Sequence, residues 1–150
     1  MSLFDTVIEQ LQTSGGRVTI PRRMVIAALC DHKGHLSVAD IERHIKAANP
    51  GSTLTDTTIY RILQGLKDLH LVSQTDMGDA GIVYELLTAP HHHLICLSCG
   101  AVADLDDEYL TPLRGRLHTE LRFEARIDHM AIYGLCQQCA QNAAIQQTAE

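Results

Sequence analysis

Two pairs of cysteines constrain this 150-residue chain more than any other feature of its sequence. Each pair has the spacing C-x-x-C: Cys96 and Cys99 form the first pair, and Cys136 and Cys139 form the second. A C-x-x-C turn places two thiolates at adjacent corners of a tetrahedron, so two such turns complete an all-cysteine zinc site. A closed site leaves no position for a substrate, so we expect a structural Zn²⁺ that fastens the fold together. The alternative is two unrelated buried or redox turns.

The cellular compartment of the protein affects how its cysteines are interpreted. No apolar run is long enough to cross a bilayer, and residues 1–12 carry acids without a basic segment, so neither a membrane partner nor a secretory signal is indicated. We therefore expect a cytoplasmic protein, in which thiols more often bind metals than form disulfides. Cys30 lies near the apolar side of a predicted helix and is expected to be inert core.

Charge is distributed unevenly along the chain, although its formal net value is −6. Residues 17–67 contain eight Lys or Arg against four Asp or Glu, an excess of +4, whereas the chain from residue 85 onward has four against nine, or −5. A basic half suits phosphates, and an acidic half rich in His and Cys suits cations. We predict two domains, residues 1–84 and residues 85–150, with a hinge at about 85–91.

Four segments of the first half show the periodicity of amphipathic helices. The first covers residues 2–14, and the others begin near Thr19, Ser37 and Thr55. Ser37 and Asp40 have the spacing of a capping box. Residues 71–74 and 82–86 then flank a Gly-rich loop and predict a β-hairpin. Helices followed by a hairpin describe a winged helix-turn-helix.

The fourth predicted helix leaves polar side chains off its apolar stripe, as a DNA-recognition helix does. Hydroxyl groups and Arg61 at its start can contact phosphates and base edges in a major groove. Arg17 precedes the second helix and can reach a neighbouring minor groove. The alternative is a small helical domain without a DNA role. The predicted contacts to double-stranded DNA are Arg17, Thr19, Arg22, Thr55, Thr57, Thr58, Tyr60 and Arg61.

Three consecutive histidines precede the first cysteine pair in a stretch that predicts a strand. Alternate side chains of a strand share a face, so His91 and His93 can bind one metal while His92 points the opposite way. Glu85 and Asp104 are available as oxygen ligands. Beyond them, we predict a helix over residues 107–119, a strand over 123–133 and a frayed polar tail after 140.

Six motifs in a fixed order then identify a resemblance to the ferric uptake regulator (Fur) family, which includes iron, zinc, manganese and peroxide sensors. The similarity runs from about residue 11 to residue 140. The motifs are RVTIPRR at 17–23, HLSVADI at 35–41, TTIYRIL at 57–63, VYEL at 83–86, HHHLICLSCG at 91–100 and YGLCQQC at 133–139.

The resemblance implies an α+β protein with an N-terminal winged helix-turn-helix domain and a C-terminal α/β dimerisation domain that contains the four-cysteine zinc site. It implies a homodimeric repressor that binds operator DNA when Fe²⁺, Mn²⁺ or Zn²⁺ fills a regulatory site. Matched to this chain, the regulatory ligands are His35, Glu85, His91, His93 and Asp104. A third family site would use His92, Glu108 and His129.

Several positions depart from the family pattern and leave the subtype open. His70 and Val83 stand where relatives usually have Gly and Arg, Arg122 stands in place of a Gly, and Pro90 replaces a histidine of some third sites. Arg61 is similar to the iron and zinc branches, whereas Asp104 is similar to the peroxide-sensing branch. A peroxide sensor is therefore the alternative within the family.

Two readings outside the family remain. A metalloenzyme could use His and Asp around an open metal to activate water, but the chain has no G-x-S-x-G, Walker or H-E-x-x-H motif. We therefore predict that it is not an enzyme. A zinc-stapled protein-binding module without a DNA role is the other alternative.

Overall fold

The computed structural model describes residues 1–32 and 34–147 and divides into two compact units. The N-terminal unit comprises Met1–Asp76 and Ala80–Thr88, and the C-terminal unit comprises Met77–Asp79 and the chain from Ala89 onward. Among the described residues, no helix combines the length and apolarity that a membrane span requires.

The N-terminal unit begins with four helices that form where the sequence predicts them. Serines 2 and 37 each close a capping box with an aspartate three residues later, and threonines 19 and 55 cap the other two helices. These side chains satisfy backbone N–H groups that have no partner inside a helix. The helices are α1 (Leu3–Thr13), α2 (Ile20–Asp31), α3 (Val38–Ala48) and α4 (Asp56–Asp68).

The predicted hairpin follows α4. Strand β1 (Val72–Asp76) pairs antiparallel with β2 (Ile82–Leu86), with Val72 opposite Leu86. A short 3₁₀ turn, Gly78–Ala80, connects them, and Gly78 and Gly81 both have positive φ, which residues with a Cβ rarely adopt. The N-terminal unit is thus a winged helix-turn-helix, as expected.

The core of this unit is built from one face of each helix and from the hairpin. The apolar stripe of α4 is fully or nearly fully buried at Ile59, Ile62, Leu63 and Leu66, as its spacing predicts. Each such side chain contributes about 1.5–3 kcal/mol by leaving water. The polar residues on the other side of α4 therefore remain at the surface.

The C-terminal unit contains a three-stranded sheet in the order β4-β3-β5. The strands are β3 (His91–Cys96), β4 (Val102–Leu105) and β5 (His129–Gly134). Strand β4 pairs antiparallel with β3, and β5 pairs parallel with it. A 3₁₀ turn (Asp107–Leu110) and helix α5 (Thr111–Leu121) provide the crossover that a parallel pair requires, and α6 (Gln137–Gln147) follows β5. The α+β fold class is confirmed.

Two boundaries in this unit differ from the sequence prediction. The last strand begins at His129 rather than near residue 123, because Arg122 ends α5 in a left-handed conformation and Arg114 holds the backbone carbonyl of Ile127. Residues 141–147, predicted to fray, continue a helix that ends at Gln147, and the last three residues of the predicted tail lie outside the described residues. That helix starts beside the second cysteine pair, with the N–H of Ala140 donating to the carbonyl of Cys136 at 2.9 Å.

Candidate functional site

The four paired cysteines come together in the C-terminal unit. Cys96 ends β3, and Cys136 lies between β5 and α6. The four sulfur atoms all lie within 4.8 Å of one another, and the Sγ atoms of Cys99 and Cys136 are 3.9 Å apart. Sulfur atoms that surround Zn²⁺ as a tetrahedron at 2.3 Å are about 3.8 Å apart. The donor set and its spacing therefore fit a structural zinc ion.

The electrostatics of this cluster favour a bound cation. The backbone N–H groups of Cys136, Cys99 and Ser98 lower the pKa of Cys96 to about 6. The backbone nitrogen of Cys136 lies 3.3 Å from the Sγ atom of Cys96. The pKa of Cys139 is raised to about 12: a hydrogen bond with Ser98 lowers it, but contacts with the other thiols and burial outweigh that bond. Neighbouring thiolates repel one another, and a divalent cation reverses that repulsion.

His35 and Glu85 form a pair within the N-terminal unit. Leu36 and Tyr84 exchange two backbone hydrogen bonds, of 2.9 and 2.8 Å, so the loop before α3 is joined to β2. This bridge brings the Nε2 atom of His35 to 3.0 Å from an Oε atom of Glu85, with both side chains about one-fifth exposed. The structure thus places a nitrogen and a carboxylate donor together, as a metal site requires.

The C-terminal unit gathers three histidines on one face of its sheet. His91 and His93 alternate along β3, and His129 lies opposite His91 on β5. The ring centroids of the three imidazoles are 4.9–5.1 Å apart. Asp104 lies across from His93 on β4, with an Oδ atom 3.2 Å from the His93 Nδ1 atom. Of the predicted regulatory ligands, this unit therefore assembles His91, His93 and Asp104.

His92 faces the other side of the sheet and has a different partner. Its Nε2 atom lies 2.9 Å from an Oδ atom of Asp107, whose carboxylate also accepts from Arg114. The Arg114 side chain and then His92 hold the pKa of Asp107 at about 2. Glu108 is exposed, and His129 is on the opposite face. The structure does not bring the three predicted third-site residues together.

The polar side of α4 is available to a large ligand. Tyr60 is 47% exposed, and Thr57 and Arg61 are also exposed beside it. Thr55 caps the helix, with its hydroxyl accepting from the N–H of Thr58 at 3.4 Å. These two threonines therefore shape the helix start as well as exposing their own side chains.

The segment before α2 is held to the rest of the N-terminal unit by Arg22. Its Nη1 atom donates to the backbone carbonyl of Arg17 at 3.0 Å, and its guanidinium group lies near Gly65 of α4. Thr19 caps α2 through the N–H of Arg22. Of these predicted DNA contacts, Arg17 is exposed, whereas Arg22 is partly buried and makes an internal bond.

Sequence reasoning missed two features of these sites. It grouped His129 with His92, but the register of β5 against β3 puts His129 beside His91. The strand alternation carries this signal only once the register between the two strands is known. It also missed Arg114, whose partner lies seven residues away in a different element.

Comparison with known proteins agrees with this architecture. The model of the ferric uptake regulator family matches residues 13–133. The chain is 28% identical over 140 residues to a ferric uptake regulation protein from Bacillus subtilis, covering 90% of this chain and 93% of the relative. It is 26% identical over 133 residues to the peroxide operon regulator of the same organism, covering 89% of this chain and 90% of that relative.

A solved structure shows the same fold. The ferric uptake regulator from Pseudomonas aeruginosa, determined with manganese, aligns with a TM-score of 0.71 at 24% identity, covering 86% of this chain and 96% of that chain. Because the family model spans most of the chain, from the end of α1 into β5, the relationship extends over both units. The protein described here therefore belongs to the ferric uptake regulator family.

Proposed function

We propose that this protein is a metal-dependent transcriptional repressor that binds operator DNA as a homodimer. The observation that carries the proposal is the presence of metal donors in each of the two units: His35 with Glu85, and His91 with His93 and Asp104. A metal that binds to such donors stabilises the conformation that offers them, and DNA binding then depends on metal by linkage.

The exposed side of α4 supports DNA as the partner. Thr57, Tyr60 and Arg61 project from the first two turns of a capped helix, where residues of a helix-turn-helix contact base edges. Residues 17–67 have an excess of positive charge, whereas the chain as a whole is acidic. A local basic surface can bind phosphates even when the net charge is negative.

The mixed nitrogen and oxygen donors support a divalent ion such as Fe²⁺, Mn²⁺ or Zn²⁺ in the regulatory site. The all-thiolate cluster supports a second, structural zinc that is not exchanged during regulation. The two sites therefore differ in their tasks: the cysteine zinc stabilises the C-terminal unit, and the histidine and carboxylate site responds to metal supply.

The sheet of the C-terminal unit supports self-association. Its β5 strand is an edge strand, and Leu94 and Ile132, paired in register, are 41% and 40% exposed on the same face. An unpaired edge beside apolar side chains is a surface that folded proteins normally cover. A second copy of this chain would bring two winged helices to the two halves of a palindromic operator.

The test is fluorescence anisotropy with a DNA fragment from upstream of the protein's own gene, at one fixed salt concentration. The cysteine zinc is retained, and free Mn²⁺ or Zn²⁺ is buffered over a range. Metal should strengthen DNA binding by the wild-type protein. Arg61→Ala should weaken it by about 1–3 kcal/mol at every metal concentration, whereas His35→Ala should shift the metal response.

Arg43→Ala is the matched control for Arg61→Ala. Arg43 lies on α3 of the same unit and is 74% exposed. Its substitution removes the same charge but should change DNA affinity far less than Arg61→Ala does. Binding that is equally strong with and without added metal, on this fragment and on AT-rich fragments, would contradict a metal-dependent regulator. An unchanged affinity of Arg61→Ala would contradict the role of α4.

A further inference from the structure

We propose that His129 supplies a third imidazole to His91 and His93, so that the C-terminal unit by itself carries a metal site whose selectivity His129 shifts toward zinc. The inference rests on the proposed regulatory site, of which His91 and His93 are part. It adds a ligand that the resemblance did not assign there and gives that ligand a consequence for metal choice.

The backbone brings the three imidazoles together. Strands β3 and β5 are parallel neighbours, and His91 is in register with His129. Because paired residues on adjacent strands share a face, His129 lies on the face that also carries His91 and His93. Each pair of these rings has centroids 4.9–5.1 Å apart. The arrangement follows from the register and does not require any residue of the N-terminal unit.

Two of the three imidazoles have nitrogen atoms close enough for one ion. His93 and His129 each have a ring nitrogen within 4.8 Å of the other. Zinc ligands at about 2.0–2.1 Å from the metal are about 3.4 Å apart in a tetrahedron. His93 and His129 therefore lie near the separation that one zinc ion requires, and His91, whose ring adjoins both, would join them by rotation of its side chain. The Nδ1–H group of His91 donates a hydrogen bond to the carbonyl of Ala89, with 2.9 Å between nitrogen and oxygen, and this leaves Nε2 as a ligand.

His92 provides a contrast on the opposite face. Its Nε2 atom is engaged by Asp107, which Arg114 also holds. An arginine already supplies positive charge to that carboxylate, so His92 belongs to an ion-paired network rather than to an open donor set. The histidines of the C-terminal sheet are thus divided into three that share a face and one that is paired with Asp107 of the 3₁₀ turn before α5.

The third imidazole changes the donor balance. Nitrogen donors suit zinc, copper, nickel and iron, whereas manganese is better served by carboxylates, carbonyls and water. Zn²⁺ is also commonly four-coordinate, so three imidazoles and one oxygen complete its coordination shell. Removing His129 should therefore weaken zinc binding by a larger factor than manganese binding. Zinc should still bind more tightly than manganese in both the wild-type protein and the variant.

The experiment uses full-length protein with its cysteine zinc retained. Affinities for a second Zn²⁺ are measured by chelator competition, and affinities for Mn²⁺ by electron paramagnetic resonance of the free ion. His129→Ala should lower zinc affinity at least about tenfold and manganese affinity by a clearly smaller factor. His118→Ala is the matched control, because it removes a 61%-exposed imidazole of α5 from the same unit.

A second variant tests whether the site is complete within its unit. His35→Ala combined with Glu85→Gln removes the donors of the N-terminal unit, and the protein should still bind Co²⁺ with the absorption of an imidazole site. Adding His129→Ala should abolish that spectrum. Circular dichroism and one zinc per chain show that each variant is folded.

The outcomes separate this inference from the proposed function. If His129→Ala and His118→Ala leave the zinc-to-manganese affinity ratio equally unchanged, the inference is wrong, whatever the DNA binding does. If His129→Ala shifts the zinc-to-manganese affinity ratio but DNA binding does not depend on metal, the inference is supported and the proposed regulation is wrong. A wild-type protein that takes up only the cysteine-bound zinc would overturn the three-histidine site.

Discussion

Cysteine 139 shows how strongly a single side chain in this protein depends on its neighbours. Its pKa is about 12, whereas the pKa of Cys96 is about 6, although both thiols belong to one cluster. Backbone N–H groups stabilise the first thiolate, and the crowded thiols then resist further ionisation. All four can be thiolates together when a divalent cation compensates their charge.

Replacing one ligand of this cluster should therefore destabilise more of the protein than the residues next to that ligand. We expect Cys139→Ser to release the zinc and to lower the thermal unfolding temperature, because metal binding contributes folding free energy directly. Zinc affinity of the wild-type protein should also fall as pH falls, since protons compete for the thiolates. Metal analysis and circular dichroism during heating measure both effects.

Cys30→Ser is the control for that variant. Cys30 lies in the N-terminal unit, where burial and then the charge of Asp31 raise its pKa to about 11. It should retain one zinc per chain. If Cys139→Ser also kept its zinc and its unfolding temperature, the four cysteines would not form a structural metal site.

At the scale of elements, the segment between α1 and α2 is held in place at two points. Gly16 packs so closely on Leu11 and Leu69 that an added Cβ would lie 2.1–2.9 Å from their atoms. The next residue, Arg17, has its backbone carbonyl bound by the Arg22 side chain. The segment is therefore positioned against both α1 and α4 rather than being a free arm, and we expect Arg22 to affect DNA binding by holding Arg17 in position.

This arrangement predicts coupling between two arginines. Arg17→Ala and Arg22→Ala should each weaken DNA binding, and the double variant should be weaker by clearly less than the sum of the two losses. Residues that act through one contact show such non-additivity, with coupling of about 0.5–3 kcal/mol. Anisotropy titrations of the four proteins at constant salt measure it.

Arg23→Ala provides the comparison. Arg23 is adjacent in sequence and equal in charge, but its guanidinium lies over the ring of Phe4 at 5.0 Å from the centroid. Its loss should add independently to the loss of Arg17. Additive losses for Arg17 and Arg22 as well would show that Arg22 contacts DNA by itself.

At the scale of the whole molecule, the two units differ in how completely they bury their apolar residues. The helices α1 to α4 all contribute buried residues to one core, whereas α5 has none among its side chains. Leu113, Leu121 and Phe123 around α5 are 42–67% exposed. A unit with this much exposed apolar surface would gain stability from association with a second copy, as the proposed homodimer requires.

Ile132→Glu should therefore shift the protein from dimer to monomer. The substitution puts a charge on the exposed face of the edge strand, and two such charges would meet across a symmetric interface. Analytical ultracentrifugation over a concentration range measures the change. Ile82→Glu is the control, because Ile82 is 48% exposed on the hairpin of the N-terminal unit. Equal dissociation of both variants, or of neither, would argue against this face.

Much of this molecule follows from sequence because the relevant signals are local. Caps and turns depend on a few adjacent residues, the stripe of α4 repeats with the helical period, and each C-x-x-C pair is a self-contained turn. These features predicted the four helices, the hairpin, the first strand of the sheet and the cysteine cluster. Periodicity also separated His91 and His93 from His92.

The tertiary structure alone decided which residues from distant segments meet. The register of β5 against β3 puts His129 with His91, and Arg114 reaches Asp107 and the carbonyl of Ile127 across different elements. The bond from Arg22 to Arg17 depends on how the segment folds back on α2. A one-residue shift in strand pairing would reverse the face of His129, and no pattern within a single segment encodes that pairing.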